Sequence, residues 1–328
     1  MDRVYAESFL NISATAGTDS SQGFPLTRAL ETEVIVNIKD VPFDELAIAG
    51  DAQKSPTAGL LGNTNLRRCR VIDSTFWDRC VENGPVNRRG WVLQERMMAR
   101  RVLHFCDGQM AWECCEFKAT EEQPLGIKCQ HTPRTSFNEQ GYDTYTHHKS
   151  LIPEIDGKRL RDSELKGKPD PVPQLQPQMF ALELWRRITE MYSKTTLTNP
   201  DDKLIALSGL AKLMAPKIGS PAQPAQYIAG MRWPNIERQL LWVVNTQETG
   251  AIPHSKAPET YRAPTFSWAS LDTYNCGGIT AGKIPDEETY FEVVKLHIDL
   301  EFSSDNEYGL INGGYLIVTG LLYRISMY

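Results

Sequence analysis

The sequence has 328 residues, of which 41% are hydrophobic and 23% are charged, and its formal net charge is −6. This composition excludes a wholly disordered chain, and the mild acidity argues against broad electrostatic binding of nucleic acid. The longest apolar runs, 240–244 and 315–323, are much shorter than the roughly 20 residues that cross a bilayer, so we expect no membrane span.

The cysteine content and the first residues predict the cellular compartment. The chain has seven cysteines, an odd number, and begins without the apolar segment of a secretory signal. Disulfide-stabilised secreted proteins usually pair their cysteines, so we expect a reduced, cytoplasmic protein.

The first part of the chain predicts alternating helices and strands. A short helix and a strand are expected within 1–16, followed by a strand at Glu33–Ile38 and a polar, glycine-containing loop at 51–65. From Ser74, which can cap a helix, apolar residues recur at helical spacing until Gly84-Pro85 ends the pattern.

A second helix and a hairpin are predicted next. Arg88–Ala99 has helical spacing that places Trp91 and Glu95 one turn apart on the same face. Extended stretches then flank Asp107-Gly108, a dipeptide typical of tight hairpin turns.

A polar segment divides the chain. Residues 117–176 lack periodicity and are rich in Lys, Glu, Pro, Gln and Thr, which predicts a surface insertion or linker. The prediction therefore has a first unit at 1–116, this insertion, and a second unit at 177–328 that is helical and then β-rich.

Three helices are expected at the start of the second unit. Apolar residues recur at helical spacing over 180–191 and again over 204–214, where Asp201 or Asp202 can cap the helix. A third helix is predicted over Pro234–Val244.

The rest of the second unit predicts strands. In Pro264–Ser270 aromatic residues alternate with small ones, which predicts a strand with one aromatic face. Strict alternation predicts another strand at 294–302, with Val294 among its buried residues, and Gly313-Gly314 precedes a strand at Tyr315–Tyr323.

The densest motif is Arg89-Gly-Trp-Val-Leu-Gln-Glu95, followed by Arg100-Arg101 and by Trp112-Glu-Cys114. These residues resemble the third motif of the fungal HET (heterokaryon incompatibility) domain. The opening, with Val4-Tyr5 and Asp19-Ser20, is similar to the stretch that follows the second motif of that family. Segments within 192–270 resemble the region that commonly follows the HET domain.

The sequence also departs from the HET pattern. The first and second motifs of the family have no counterpart here, so the resemblance implies a truncated domain that lacks its N-terminal half. HET domains are in turn thought to be similar to TIR domains, which are flavodoxin-like α/β modules. The expected fold class is therefore α/β, with a partial TIR-like (flavodoxin-like) HET module followed by a helical segment and a C-terminal β unit.

The TIR likeness implies a chemistry for Glu95. Some TIR domains cleave the nicotinamide glycosidic bond of NAD with a glutamate on a W-x-x-x-E helix, and Trp91-Val-Leu-Gln-Glu95 has that spacing. A carboxylate can stabilise the oxocarbenium-like state of such a cleavage. Glu95 is thus the expected catalytic residue, Trp91 accompanies it, and NAD is a substrate rather than a resident cofactor.

Three arginines near Glu95 are candidate phosphate ligands. Arg88, Arg89 and Arg96 can pair with a pyrophosphate because a guanidinium matches phosphate oxygens in forked geometry. A structural interpretation stands beside this one: Glu95 pairs with Arg88 or Arg89, while Trp91 and the apolar residues of the helix pack in the core.

Other kinds of site have weaker support. The candidate metal ligands are Cys106, Cys114, Cys115, Cys129 and His131, with His104. They include no C-x-x-C pair, so buried or free thiols are expected and no metal site. The sequence contains neither a dinucleotide-binding glycine fingerprint nor a P-loop, and no nucleophile elbow.

Three functions remain open from the sequence. The first is a cytoplasmic fungal HET-family protein of non-self recognition and programmed cell death, with Glu95 as the remnant or the actual glutamate of an NAD-cleaving site. The second is a non-catalytic module that binds a protein partner or self-associates. The third is a biosynthetic enzyme that uses the same scaffold for a different small molecule.

Overall fold

The computed structural model describes residues 2–24, 33–37, 66–70, 72–127, 177–245, 255–273, 277–282, 289–300, 308 and 310–321. The predicted loop at 51–65 and most of the insertion lie outside these residues. Both helices and strands are present, so the fold is of mixed α/β class.

The first part of the chain contains two similar helix–strand units. Helix α1 (Asp2–Ala6) precedes strand β1 (Asn11–Ser13), and helix α2 (Gly90–Met98) precedes strand β4 (Arg101–Phe105). β1 and β4 are parallel, with Asn11 opposite Val102. The helix and strand predicted within 1–16 and the helix at 88–99 are therefore confirmed.

Strand β4 also forms the predicted hairpin. It pairs antiparallel with β5 (Met110–Cys114), and Gly108 in the turn has a φ of 90°, which glycine adopts readily. β6 (Lys118–Thr120) pairs with β5 and completes a sheet with the order β1-β4-β5-β6. The sheet thus continues past residue 116 into the first residues of the polar segment.

A strand pair and a π-helix are described between the helix–strand units. The predicted strand at Glu33–Ile38 is confirmed as β2 (Glu33–Asn37), which pairs antiparallel with β3 (Leu66–Arg70). The helix expected from Ser74 is a π-helix at Trp77–Glu82. The expected Ser74 cap is wrong, because the N-cap position is Phe76 and no side chain caps this helix.

The second unit is built on two helices, α3 (Pro177–Ser193) and α4 (Ser208–Ile218), which confirm the first two predicted there. The 3-10 turns Pro200–Lys203 and Ile205–Leu207 lead into α4. The cap of the first turn is Asn199, whose side chain accepts from the Asp201 N–H, and not an aspartate as predicted.

Short strands and 3-10 turns cover these helices. They are β7 (Gln226–Ile228), β8 (Met231–Trp233), β9 (Trp242–Val244), β10 (Ser255–Lys256), β11 (Asp272–Thr273) and β12 (Ile279–Ala281), with 3-10 turns at Glu237–Gln239 and Trp268–Ser270. The pairs are β7 with β8, β9 with β12, and β10 with β11.

Two predictions fail in this region. The helix at Pro234–Val244 is wrong, because its β-branched end is strand β9. The aromatic strand at Pro264–Ser270 is also wrong, because the Ser267 hydroxyl accepts from the Ala269 N–H at 3.0 Å and starts a 3-10 turn. Trp268 of that segment is buried in the core.

The last two described strands form a long antiparallel ribbon of β13 (Phe291–Leu300) and β14 (Ile311–Gly320). The strand predicted at 294–302 is confirmed as a strand. Val294, which was expected to be buried, is 61% exposed. A bulge between Val293 and Lys295 shifts the alternation, so Val293 is the buried residue. Gly313 and Gly314 lie within β14 and not before it.

Helix α2 connects the two parts of the molecule. Its residues Leu93 and Met97 belong to the main hydrophobic core, together with side chains of α3, α4 and the strands that follow. A smaller cluster, formed by Phe76, Trp77, Cys80, Val81, Cys106 and Ala111, lies between the π-helix and the hairpin. The apolar face of helix α2 therefore packs against the second unit.

Candidate functional site

The start of helix α2 is joined to the segment that follows α3. The Gly90 N–H donates to the Thr196 carbonyl at 2.7 Å, and the Thr196 N–H donates to the Arg88 carbonyl at 2.7 Å. A Cβ atom on Gly90 would come within 2.6 Å of the Leu197 side chain. Glycine allows this close approach of the two chain segments.

Two side chains of the motif extend the same contact. The indole N–H of Trp91 donates to the Asp202 carboxylate at 3.2 Å. The side-chain oxygen of Gln94, a buried residue, accepts from the Gly209 N–H at 3.0 Å. Because Gly209 lies in the first turn of α4, where backbone N–H groups lack helical partners, Gln94 caps that helix from another part of the chain.

Glu95, the expected catalytic residue, faces helix α1. The Tyr5 phenol and the positive charge of Arg89 both influence its carboxylate. Partial burial raises the pKa of Glu95, although Tyr5 and Arg89 act in the opposite direction. Burial, together with Glu95, raises the pKa of Tyr5 to about 12, so Tyr5 stays a protonated donor at neutral pH.

The candidate phosphate ligands are separated by the structure. Arg88 and Arg89 have exposed side chains just before α2. Arg96 instead is buried on α2 and forms two forked ion pairs. Its Nε donates to Glu113 at 2.7 Å and its Nη1 to Glu82 at 2.8 Å, and Nη2 donates to both carboxylates.

The ion pairs of Arg96 belong to a larger polar network beneath the sheet. Glu82 also accepts from the indole N–H of Trp77 at 2.7 Å and lies 3.6 Å from the Lys118 ammonium. Burial alone would raise the pKa values of Glu82 and Glu113, but Arg96 lowers both, and the pKa of Glu113 is well below its ordinary range. Both carboxylates are therefore ionised at neutral pH.

His104 continues this network to Thr15, which follows strand β1. Its Nε2 lies 3.3 Å from a Glu113 oxygen and its Nδ1 lies 2.8 Å from the Thr15 hydroxyl. Burial lowers the pKa of His104, so the ring is neutral. An ionised carboxylate can only accept, so Nε2 carries the hydrogen and Nδ1 accepts from Thr15.

Glu95 and the arginines were predicted from the sequence, but Tyr5, Glu82, His104 and Glu113 were not predicted as their partners. One signal was available for Glu113. It is in phase with Ala111 on a strand whose alternate residues are buried, and a charge on a buried strand face requires a partner. No comparable signal identified Tyr5, because its contact with Glu95 depends on the parallel pairing of β1 and β4.

Cys80, Cys106 and Cys114 form no disulfide. Cys80, Cys106 and Cys114 are buried, and burial raises the pKa of Cys106 to about 12, which keeps it a thiol. Within the described ranges no three His, Cys, Asp or Glu side chains are placed to hold a metal ion. Cys129 and His131 lie outside those ranges.

A narrow crevice in the second unit is lined by Trp185, Trp242 and Trp268, with Arg186 and Gly230 beside them. Its volume is about 20 Å³, which is room for about one water molecule. A small-molecule enzyme site in this unit therefore stays a prediction.

The described fold and the Glu95 region together define a mixed α/β protein in which a partly buried carboxylate lies on a helix next to a sheet. Residues 1–95 match the family model of the heterokaryon incompatibility protein (HET), over less than a third of the chain. This match supports a HET family assignment and a function related to heterokaryon incompatibility. Comparisons with curated proteins and with solved structures gave no match.

Among the described residues, every helix is too short or too polar to cross a bilayer.

Proposed function

We propose that this chain is a cytoplasmic HET-family protein of fungal non-self recognition and programmed cell death, and that it cleaves the nicotinamide glycosidic bond of NAD at Glu95. The observation that carries the proposal is the environment of Glu95. A partly desolvated carboxylate on the W-x-x-x-E helix has a tyrosine hydroxyl and an arginine as neighbours. An anion in such surroundings can stabilise the positive charge that develops on the ribose during cleavage.

The arrangement of helices and strands gives further support. In a TIR-like module the catalytic helix is followed by a strand of a parallel sheet, and β4 follows α2 and pairs in parallel with β1. The other two pairings of this sheet are antiparallel. The TIR likeness is therefore proposed for the α1–β1 and α2–β4 units.

Arg88 and Arg89 are the proposed ligands of the NAD pyrophosphate. Their side chains are exposed just before the helix that carries Glu95. Arg96 and Trp91 were predicted to belong to the same site as these arginines. Arg96 pairs with a buried carboxylate and Trp91 with the distant Asp202, so both are proposed to hold α2 in place.

The test is the release of nicotinamide from NAD by the purified chain, measured by chromatography beside Glu95→Gln and Glu7→Gln. Glu7 is an exposed carboxylate near Tyr5 and serves as the matched control. We expect release by the wild type and by Glu7→Gln, and a loss of at least about 100-fold in Glu95→Gln. No release by the wild type, or equal release by Glu95→Gln, would overturn the proposal.

A second candidate function is a non-catalytic interaction module. Large apolar side chains are exposed on the first described segment, with Phe9 80% and Ile12 55% exposed, and Ile12 lies on a strand at the edge of the sheet. Such a surface is typical of a site that binds a protein partner or a second copy of the chain.

Cell death on expression separates the two candidates. If the apolar surface acts, Phe9→Ser with Ile12→Thr abolishes the response and Glu95→Gln keeps it. If NAD cleavage acts, Glu95→Gln abolishes the response whether or not the apolar surface is intact.

A further inference from the structure

The backbone around Arg89 is hydrogen-bonded on both of its sides. The N–H groups of Arg88 and Arg89 donate to carbonyls of the preceding turn at 84–86, at 3.2 and 3.1 Å respectively. The Arg88 carbonyl accepts from the Thr196 N–H, and the Gly90 N–H donates to the Thr196 carbonyl, each at 2.7 Å. Arg89 and Thr196 thus form a parallel bridge, which fixes the backbone of both arginines while their side chains are exposed.

Thr196 is itself anchored by the end of helix α3. The N–H and the hydroxyl of the neighbouring Thr195 both donate to the Tyr192 carbonyl, at 2.9 and 2.7 Å. Tyr192 is buried, and its hydroxyl donates to the Lys203 carbonyl at 2.7 Å. The position of Thr196 is therefore set by the core of the second unit.

A second link lies at the next residue of helix α2. The Trp91 indole N–H donates to one carboxylate oxygen of Asp202 at 3.2 Å, and the other oxygen accepts from the Asn199 side chain at 3.1 Å. Two donors hold this carboxylate, so it fixes the indole in turn. The two links join the segment 196–202 to the first turn of the helix that carries Glu95.

A fixed backbone matters for binding a ligand that carries phosphate. An arginine side chain loses rotamer freedom when it binds, and a mobile backbone adds to the entropy lost at that moment. A backbone that is held before the ligand arrives removes this additional loss. The link at Thr196 thus favours binding of a pyrophosphate by Arg88 and Arg89 without a contact between Thr196 and the ligand.

We infer that Thr196 is a positioning residue of the arginine site: its peptide group, anchored in the second unit, holds Arg88 and Arg89 in the backbone conformation that binds the pyrophosphate of NAD. The second unit is then part of the substrate site and not a separate module. The identity of the ligand as NAD rests on the proposed function. The requirement for Thr196 is tested by binding alone, without turnover.

The first test is the affinity for ADP-ribose, which carries the same pyrophosphate and has no nicotinamide to release, measured by titration calorimetry. Thr196→Pro removes the N–H that donates to Arg88. Thr196→Val keeps the peptide group, and Thr198→Pro places a proline at another exposed position of the segment. We expect a loss on the order of ten-fold in Thr196→Pro and of less than about two-fold in both controls. Wild-type affinity in Thr196→Pro, or no binding by the wild type, would overturn the inference.

The second test separates positioning from a general loss of structure by a double-mutant cycle. A protein that is merely destabilised loses affinity in the same proportion whether or not Arg89 is present. If Thr196 acts through the arginine, Arg89→Gln should weaken ADP-ribose binding about ten-fold in the wild type and less than about three-fold in Thr196→Pro. Additive losses in this cycle would rule out the positioning role.

Folding and activity are measured separately from binding. Circular dichroism shows whether Thr196→Pro is folded, and faster hydrogen exchange at Gly90 shows that the link is lost. If that variant does not fold, Thr196→Gly replaces it in the cycle, because glycine keeps both hydrogen bonds and gives the linked residue more backbone freedom. The same non-additivity is expected, and additive losses again contradict the inference. If the wild type binds ADP-ribose but releases no nicotinamide from NAD, the proposed function fails and the cycle still decides the role of Thr196.

Discussion

The Nε atom of Arg96 lies 2.7 Å from an oxygen of Glu113, in a pair that joins the helix of the HET-like motif to strand β5 of the hairpin. Both side chains are almost fully buried. Glu82 makes a second fork with the same guanidinium, so the charge of Arg96 faces two carboxylates. The charges of this network hold α2 on the sheet.

Replacement of Arg96 should show how much the network stabilises the fold. Arg96→Met leaves two buried carboxylates without their main counter-charge, and we expect a loss of about 3–5 kcal/mol in the free energy of unfolding. Chemical denaturation measures this free energy of unfolding. Arg79→Met is the control, because the Arg79–Asp73 pair has side chains 61% and 40% exposed and should contribute less than about 1 kcal/mol. Equal losses in the two variants would contradict the assigned role.

Stability should decrease on acidification in two stages. The pKa of His104 is lowered in the folded state, so below its ordinary value of 6.5 the unfolded chain binds more protons and stability falls. The pKa values of Glu113 and Glu82 are also lowered, so a second loss begins as the pH falls below the ordinary glutamate value of 4.5. In His104→Gln we expect the first stage to disappear from urea unfolding midpoints measured from pH 8 to pH 4. A wild-type stability that is flat between pH 7 and pH 5 would rule out this account.

The close approach at Gly90 gives a prediction with a compensating partner. Gly90→Ala introduces a Cβ that meets Leu197 and should cost about 1–3 kcal/mol by overpacking, although alanine is otherwise the better helix former. In a Leu197→Ala background, the loss of stability caused by Gly90→Ala should vanish or become a gain. Thermal unfolding of the four proteins in this cycle gives the coupling, and additive effects would show that the contact has no energetic weight.

The cap that Gln94 provides should be measurable as a single hydrogen bond. Gln94→Met keeps the length of the side chain and leaves the Gly209 N–H without this acceptor, so we expect a loss of about 1–3 kcal/mol. Gln226→Met at an exposed strand position should change stability by less than about 0.5 kcal/mol. Hydrogen exchange at Gly209 should accelerate in the first variant alone.

Much of the local structure followed from patterns in the sequence. The hairpin around Asp107-Gly108, helices α2, α3 and α4 and the ribbon strands were predicted because turn residues and apolar periodicity act over a few positions. The failures have local causes that such patterns do not contain. A bulge changes the phase at Val294, and a single serine hydroxyl at Ser267 starts a turn where alternation favoured a strand.

The candidate site was predicted only in part for a different reason. Glu95 was identified from its motif, but its partner Tyr5 is 90 positions away and is placed by a parallel strand pairing. Arg96 was grouped with the other arginines because all three are close in sequence. The burial that separates Arg96 from them depends on Glu113 and Glu82, which lie on other elements.

The contacts of Gln94 and Gly90 with Gly209 and Thr196 also set an order of events during synthesis of the protein. The chain is made from its N-terminus, so α2 leaves the ribosome about a hundred residues before its partners Thr196 and Gly209. Until then Leu93 and Met97 have no main core to enter. A fragment that stops at residue 127 should consequently expose these side chains, bind chaperones and aggregate, whereas the longer chain completes the HET-like part only after residue 209 has emerged.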